Sequence, residues 1–279
     1  MNFERFLVDI GLEKTEINEV LSIEIDFSVL KKCQKLVSDG KNCNNLIKKY
    51  AKTNSLNVEL TFLRAFCRLS YEEYSLFQSL GFSYQDFVTQ FRDIAIWAKE
   101  YSKNGVGLGE YNWVINSLTR KVIRLGRLQY ELRWVRKTSN GKFTPKKRLV
   151  LFIHIPKDGS LDYDKVLSSI KRAKEYFGVD EFYCFSWLLD TNFQKLLDEN
   201  SNIIKFQSLF NVTNKTESKQ AEERVFERKD GDYQNYPENT ALQKKLKAYL
   251  LNGGKTYEGY GRKVNNSFQG TYVSRSRAS

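Results

Sequence analysis

The sequence predicts a helical domain followed by an α/β domain, and three observations carry that prediction. Apolar residues recur at helical spacing up to about residue 118. The period changes to two from about Lys121, and beyond it apolar strand-like runs alternate with amphipathic helical stretches. Phe3, Phe6, Leu7 and Ile10 form the first helical stripe, which stops at Gly11. Leu56, Leu60, Leu63 and Cys67 repeat the spacing, and Ser83-Tyr-Gln-Asp86 has the form of a capping box ahead of Phe87, Phe91, Ile94 and Ala98. Gly105-Val-Gly107-Leu-Gly109 interrupts the pattern and reads as a mobile loop or hinge. No strand precedes it, so it is not a dinucleotide fingerprint.

The segment Arg124 to Trp134 alternates polar and apolar side chains. Read as a half-buried strand, it puts Leu128, Tyr130, Leu132 and Trp134 on one face and Arg127, Gln129, Glu131 and Arg133 on the other. A turn signal at Asn140-Gly141 precedes Arg148 to Ile155, a run suited to a strand covered on both faces. Then come a loop, Pro156-Lys-Asp-Gly-Ser160, and a helix with Val166, Leu167, Ile170, Ala173 and Phe177 on one face. A strand at Phe182–Phe185, a short helix near Phe193–Leu197 and a strand at Ile203–Phe210 continue the alternation. Residues 211–236 are polar and ambiguous, Asn239 or Thr240 caps a last helix ending at Gly253-Gly254, and the tail after Val264 has little to bury. The predicted organisation is a helical domain at 1–118, an α/β domain at 119–264 and a disordered tail at 265–279.

With 279 residues, 41% of them hydrophobic, the chain can bury a sizeable core. No run approaches the ~20 apolar residues that span a bilayer. The start lacks the basic-then-apolar layout of a signal peptide, so a cytoplasmic location is expected. Four irregularly spaced cysteines and a single histidine argue against a disulfide framework and a zinc site, and the thiols are expected to fill interiors. Lys plus Arg exceed Asp plus Glu by 45 to 33, a formal charge of +12 that favours anions such as nucleic acid, phosphorylated cofactors or anionic lipid.

The Leu125-Gly-Arg-Leu-Gln129 and Ser186-Trp-Leu-Leu-Asp190 segments stand in one chain with His154-Ile-Pro156, Ser201-Asn202-Ile-Ile and Pro237-Glu-Asn-Thr240-Ala-Leu-Gln243. The set resembles a bacterial family of acyltransferases that joins a helical N-acyltransferase N-terminal domain to a C-terminal domain similar to the GNAT (Gcn5-related N-acetyltransferase) fold. The likeness runs from about Gly81 to about Gly261. It implies an N-acyltransferase that takes acetyl-CoA or a longer acyl-CoA and an amine acceptor. The CoA pyrophosphate would then rest where the strand ending at Ile155 turns into a helix, at Lys157, Gly159, Ser160 and Leu161, with Lys165 adding charge. That loop lacks the GNAT signature Gln/Arg-x-x-Gly-x-Gly/Ala.

Acyl transfer needs a base, an acid for the thiolate and donors for the oxyanion. Glu131 and His154 are the base candidates and Ser186 the donor. Trp187 can wall the acyl or pantetheine channel or simply lie in the core, Arg124 and Arg127 can bind an anionic substrate or the 3′-phosphate of CoA, and Gln129 stands with them on the substrate side. The alternative is a non-catalytic protein of the same fold that binds nucleic acid or another anion through its basic surface, which the missing glycine signature favours.

Overall fold

The computed structural model describes residues 2–139 and 142–264. The Asn140-Gly141 turn and the tail 265–279 therefore lie outside the described residues. The first part is helical: α1 (Phe3–Ile10), α2 (Lys14–Ser22), α3 (Phe27–Ser38), α4 (Asn44–Thr53), α5 (Val58–Glu72), α6 (Tyr74–Ser79), α7 (Tyr84–Tyr101) and α8 (Tyr111–Leu118). Local chemistry sets the ends. The Asn2 side chain accepts the Arg5 amide to open α1, and Gly11 closes it at a φ of 101°, where a side chain would strain the backbone. Ser83 and Asp86 form the predicted capping box on α7. Phe6, Phe62, Phe66, Phe77, Phe87, Phe91 and Ile94 form the core of this part, and Cys33, Cys43 and Cys67 are buried free thiols. The Gly105–Gly109 segment is packed onto α5: Leu108 is buried and its amide donates to Glu59 O at 3.0 Å.

A mixed sheet follows, built from β1 (Val122–Leu125), β2 (Leu128–Ser139), β3 (Lys142–His154), β4 (Glu181–Ser186), β5 (Asn211–Glu217) and β6 (Tyr257–Val264), in the order β1-β2-β3-β4-β6-β5. Its helices are α9 (Tyr163–Phe177), α10 (Phe193–Leu196), α11 (Asn202–Gln207), α12 (Gln220–Phe226) and α13 (Ala241–Leu251). The helical part followed by a mixed α/β part is the architecture the sequence predicts. By packing, the chain divides into two compact units: residues up to Leu132 with Ile153–Tyr176, and Arg133–Phe152 with the residues from Phe177 onward.

Three elements differ from the sequence reading. Arg124 to Trp134 is a hairpin, with Gly126 turning at a φ of 76° and Arg124 paired opposite Gln129. Residues 203–207 are helical and 208–210 form a turn, not a strand: the Ser201 hydroxyl accepts the Ile204 amide and starts α11. The strand β6 has no counterpart in the sequence reading. It pairs antiparallel with β4 and β5, and two glycines let it pass close to its neighbours. A Cβ on Gly259 would stand 2.3 Å from the Leu189 carbonyl oxygen. Gly259→Ala is therefore expected to cost about 1–3 kcal/mol through overpacking. Thermal denaturation checks this, and an unchanged melting temperature would mean that β6 does not press on Leu189. The second unit's apolar core gathers Phe193, Ala221, Phe226, Tyr236, Leu246 and Leu250.

Candidate functional site

The first unit concentrates most of the predicted site residues. On the polar face of β2, Glu131 stands beside His154 at the end of β3, with Oε2 3.1 Å from Nε2 and both side chains about a quarter exposed. An ionised carboxylate only accepts, so in the neutral imidazole the proton facing it sits on Nε2 and Nδ1 keeps its lone pair. Among the described residues Nδ1 has no hydrogen-bond partner. The indole of Trp113, on α8, meets the His154 ring edge-on, with centroids 4.8 Å apart and planes at 64°. Trp113 Nε1 donates to Asp93 Oδ2 at 3.0 Å, and Gln129 Nε2 donates to the same oxygen at 2.8 Å. Asp93 is buried on α7, and burial pushes its carboxyl above the usual range despite those two donors.

One turn earlier, Gln90 holds the backbone of the hairpin. Its amide donates to Val122 O at 2.9 Å and to Ser117 O at 3.3 Å, and its oxygen accepts the Arg124 amide at 2.7 Å. The Arg124 side chain is buried, donating to Gly126 O at 3.2 Å and Asp158 Oδ1 at 2.9 Å, while Nη1 has no partner among the described residues. Arg127, at the turn, is committed to the loop after β3. It donates to Pro156 O at 3.1 Å, Gly159 O at 3.0 Å and Ser160 O at 2.8 Å.

That clamp gives the loop its character. Three carbonyls point to Arg127, whereas none of the amides of Lys157, Asp158, Gly159, Ser160 and Leu161 donates to an acceptor among the described residues. Gly159 has a φ of 79° and open space where a Cβ would sit. The loop runs into α9, whose Lys165 amide is capped by Asp162 Oδ1 at 2.9 Å. Such a run of unsatisfied N–H groups ahead of a helix suits phosphate. Lys157 is paired with Glu100 at 2.6 Å, Ile155 and Leu161 are half-buried, and Lys165 is exposed. A cleft of about 500 Å³ beside α9 is lined by Arg124, Arg127, Lys165 and Arg172, with the carboxylate of Asp164.

Ser186 and Trp187 belong to the second unit. The Ser186 hydroxyl accepts the Leu188 amide at 3.2 Å, which leaves its own hydrogen free to donate. Trp187 packs edge-on against Phe193, with centroids 5.7 Å apart. Asp190 binds the amides of Asn192 and Tyr257, both at 3.0 Å, and so ties the turn after β4 to β6. Sequence reasoning missed Asp93 and Trp113. The signal for Asp93 was present: it and Gln90 are polar residues three apart, inside a stripe of phenylalanines.

Comparison with solved structures finds the same fold along 93% of this chain and 86% of the matched chains. One is an acyltransferase in complex with decanoyl-CoA, at 18% identity and a TM-score of 0.73. Another is an acyltransferase in complex with decanoyl-CoA and teicoplanin, at 17% and 0.70, and a third holds CoA and 10C-teicoplanin, at 17% and 0.69. No curated protein matches the sequence significantly. A model of the family described as GNAT-like C-terminal domain matches residues 122–263, half of the chain. By its sequence, and by a mixed sheet preceded by helices, the chain belongs to the family that carries this GNAT-like C-terminal domain.

Proposed function

We propose that the protein is an acyl-CoA-dependent N-acyltransferase, in which the 119–264 segment binds the thioester and the helical 1–118 segment shapes the acceptor side. The observation that carries this reading is the loop Lys157–Leu161, with its carbonyls drawn to Arg127 and its amides left free ahead of α9. Those amides, with Lys165 and the basic cleft beside it, suit the phosphates of CoA. The acyltransferases that share the fold were solved with acyl-CoA or CoA, which supports the same donor here.

Glu131 and His154 supply the proton chemistry. The amine nitrogen of the acceptor attacks the thioester carbonyl carbon, and the C–N bond forms as the C–S bond breaks. His154 Nδ1 takes the proton the nitrogen loses and returns it to the departing thiolate, giving the amide and free CoA. Glu131 keeps the tautomer and stabilises the imidazolium between those events. Ser186 and Trp187 carry no step in this reading.

The test is thermal stability with acetyl-CoA, longer acyl-CoAs, CoA and desulfo-CoA. A ligand at ~100 times its dissociation constant stabilises the fold by about 2.7 kcal/mol. A rise in melting temperature with acyl-CoA is expected. No rise with any of the four would overturn the reading and leave a non-catalytic, anion-binding protein of the same fold.

A further inference from the structure

Two side chains one turn apart on α7 do different work. Gln90 bonds only to backbone, and by fixing Ser117, Val122 and Arg124 it performs a structural task. The Asp93 carboxylate accepts from two side chains, Trp113 and Gln129, and both flank the Glu131–His154 pair. Trp113 lies against the His154 ring, and Gln129 precedes Glu131 by two residues on the same strand face. Asp93 is 2% exposed, and no lysine or arginine among the described residues donates to it. Burying a carboxylate without a bonded cation is costly, and an apolar side chain of that size would pack a helix face at no such cost. What the carboxylate supplies in return is an acceptor for the Trp113 and Gln129 donors.

We infer that Asp93 is a positioning residue: by holding the Trp113 indole and the Gln129 amide on one oxygen, it keeps His154 in the single orientation that presents Nδ1 to the acceptor. The inference rests on the acyl-transfer reading for its consequence, though not for its geometry. The two donors arrive from α8 and β2, so one carboxylate oxygen registers three elements at once. An indole free to swing would let the imidazole rotate about its own side-chain bonds, and Nε2 would leave Glu131. Misplacement on that scale costs a catalytic group much of its rate without touching donor binding.

His154 is the single histidine of the chain, so its ring C–H resonances are assigned without ambiguity, and the edge-on Trp113 gives them a ring-current shift. Asp93→Ala is expected to move those resonances and to lower kcat by about tenfold to 10²-fold. KM for acyl-CoA stays within about twofold, because neither hydrogen bond that the alanine removes involves the donor. Asp93→Asn, which keeps an acceptor oxygen, recovers most of both. Trp113→Phe keeps a ring but loses the N–H, and it lowers kcat as Asp93→Ala does; its resonances are not compared, because the phenyl ring changes the ring-current shift by itself. If Asp93→Ala fails to fold, Asp93→Asn and Trp113→Phe decide the matter. A folded Asp93→Ala or Trp113→Phe with wild-type kcat, or a folded Asp93→Asn with kcat as low as the inference predicts for alanine, would overturn the inference. A wild-type protein that transfers no acyl group overturns the proposed function instead, and the resonances still report whether Asp93 positions His154.

Discussion

His154→Ala is expected to lower kcat for acyl transfer by about 10²–10⁴-fold, the range a positioned general base supplies, while acyl-CoA binding is retained. The separation follows from the site. Nδ1 faces no protein acceptor or donor among the described residues, and the loop assigned to the donor is held by Arg127, not by the imidazole. Glu131→Gln should be nearly as damaging, for a different reason. The glutamine amide can donate to Nε2, which shifts the ring proton to Nδ1 and removes the lone pair the acceptor's proton needs. The double variant is then expected to cost little more than either single one, because both act on the same proton. Release of the CoA thiol gives kcat and KM, and titration calorimetry with a non-hydrolysable acyl-CoA analogue gives the affinity. Wild-type kcat in His154→Ala would put the base elsewhere.

What was legible in the sequence is what depends on local period and composition. The polar face of β2 could be read because alternation assigns Gln129 and Glu131 to one side whatever the sheet does next. Helix starts at Ser83 and Thr240 could be read because a cap is satisfied within its own turn. The errors lie where the local signal is ambiguous or a tertiary contact overrides it. Ile203, Ile204, Phe206 and Phe210 form a short apolar run that suits a strand or a buried helix, and the Ser201 cap settles it as α11. The strand β6 escaped because Gly259 and Gly261 argue against a strand, although close approach to Leu189 and Phe210 is what requires them. The turn at Gly126 splits an alternation that otherwise runs unbroken, so Arg127 read as part of the polar face. Its partners are backbone carbonyls, which carry no trace in the identity of residues 156–160.

Donor binding is expected to depend on those same carbonyl bonds. Arg127→Ala frees three carbonyls that the guanidinium draws to one side of the loop, and the amides of residues 157–161 then lose the orientation that leaves them open to phosphate. A hydrogen bond to a charged group is worth about 1.5–3 kcal/mol, and about 1.4 kcal/mol is tenfold in affinity. If the loosened loop costs donor binding about the lower value for two such bonds, roughly 3 kcal/mol, the acyl-CoA dissociation constant rises by about 10²-fold, measured by calorimetry on the folded variant. Arg127→Lys separates bracing from direct contact. A lysine offers a point charge and cannot span Pro156, Gly159 and Ser160 together, so a bracing arginine is not rescued, whereas one that met the phosphates through its charge would be rescued in part. Lys165→Ala is the reference for charge alone. This lysine is exposed, so its loss is expected to weaken binding only a few-fold, and the difference should vanish as salt is raised. A strong loss in Arg127→Ala that persists at high salt, unrescued by lysine, is the signature of a loop whose shape, more than its charge, holds the donor.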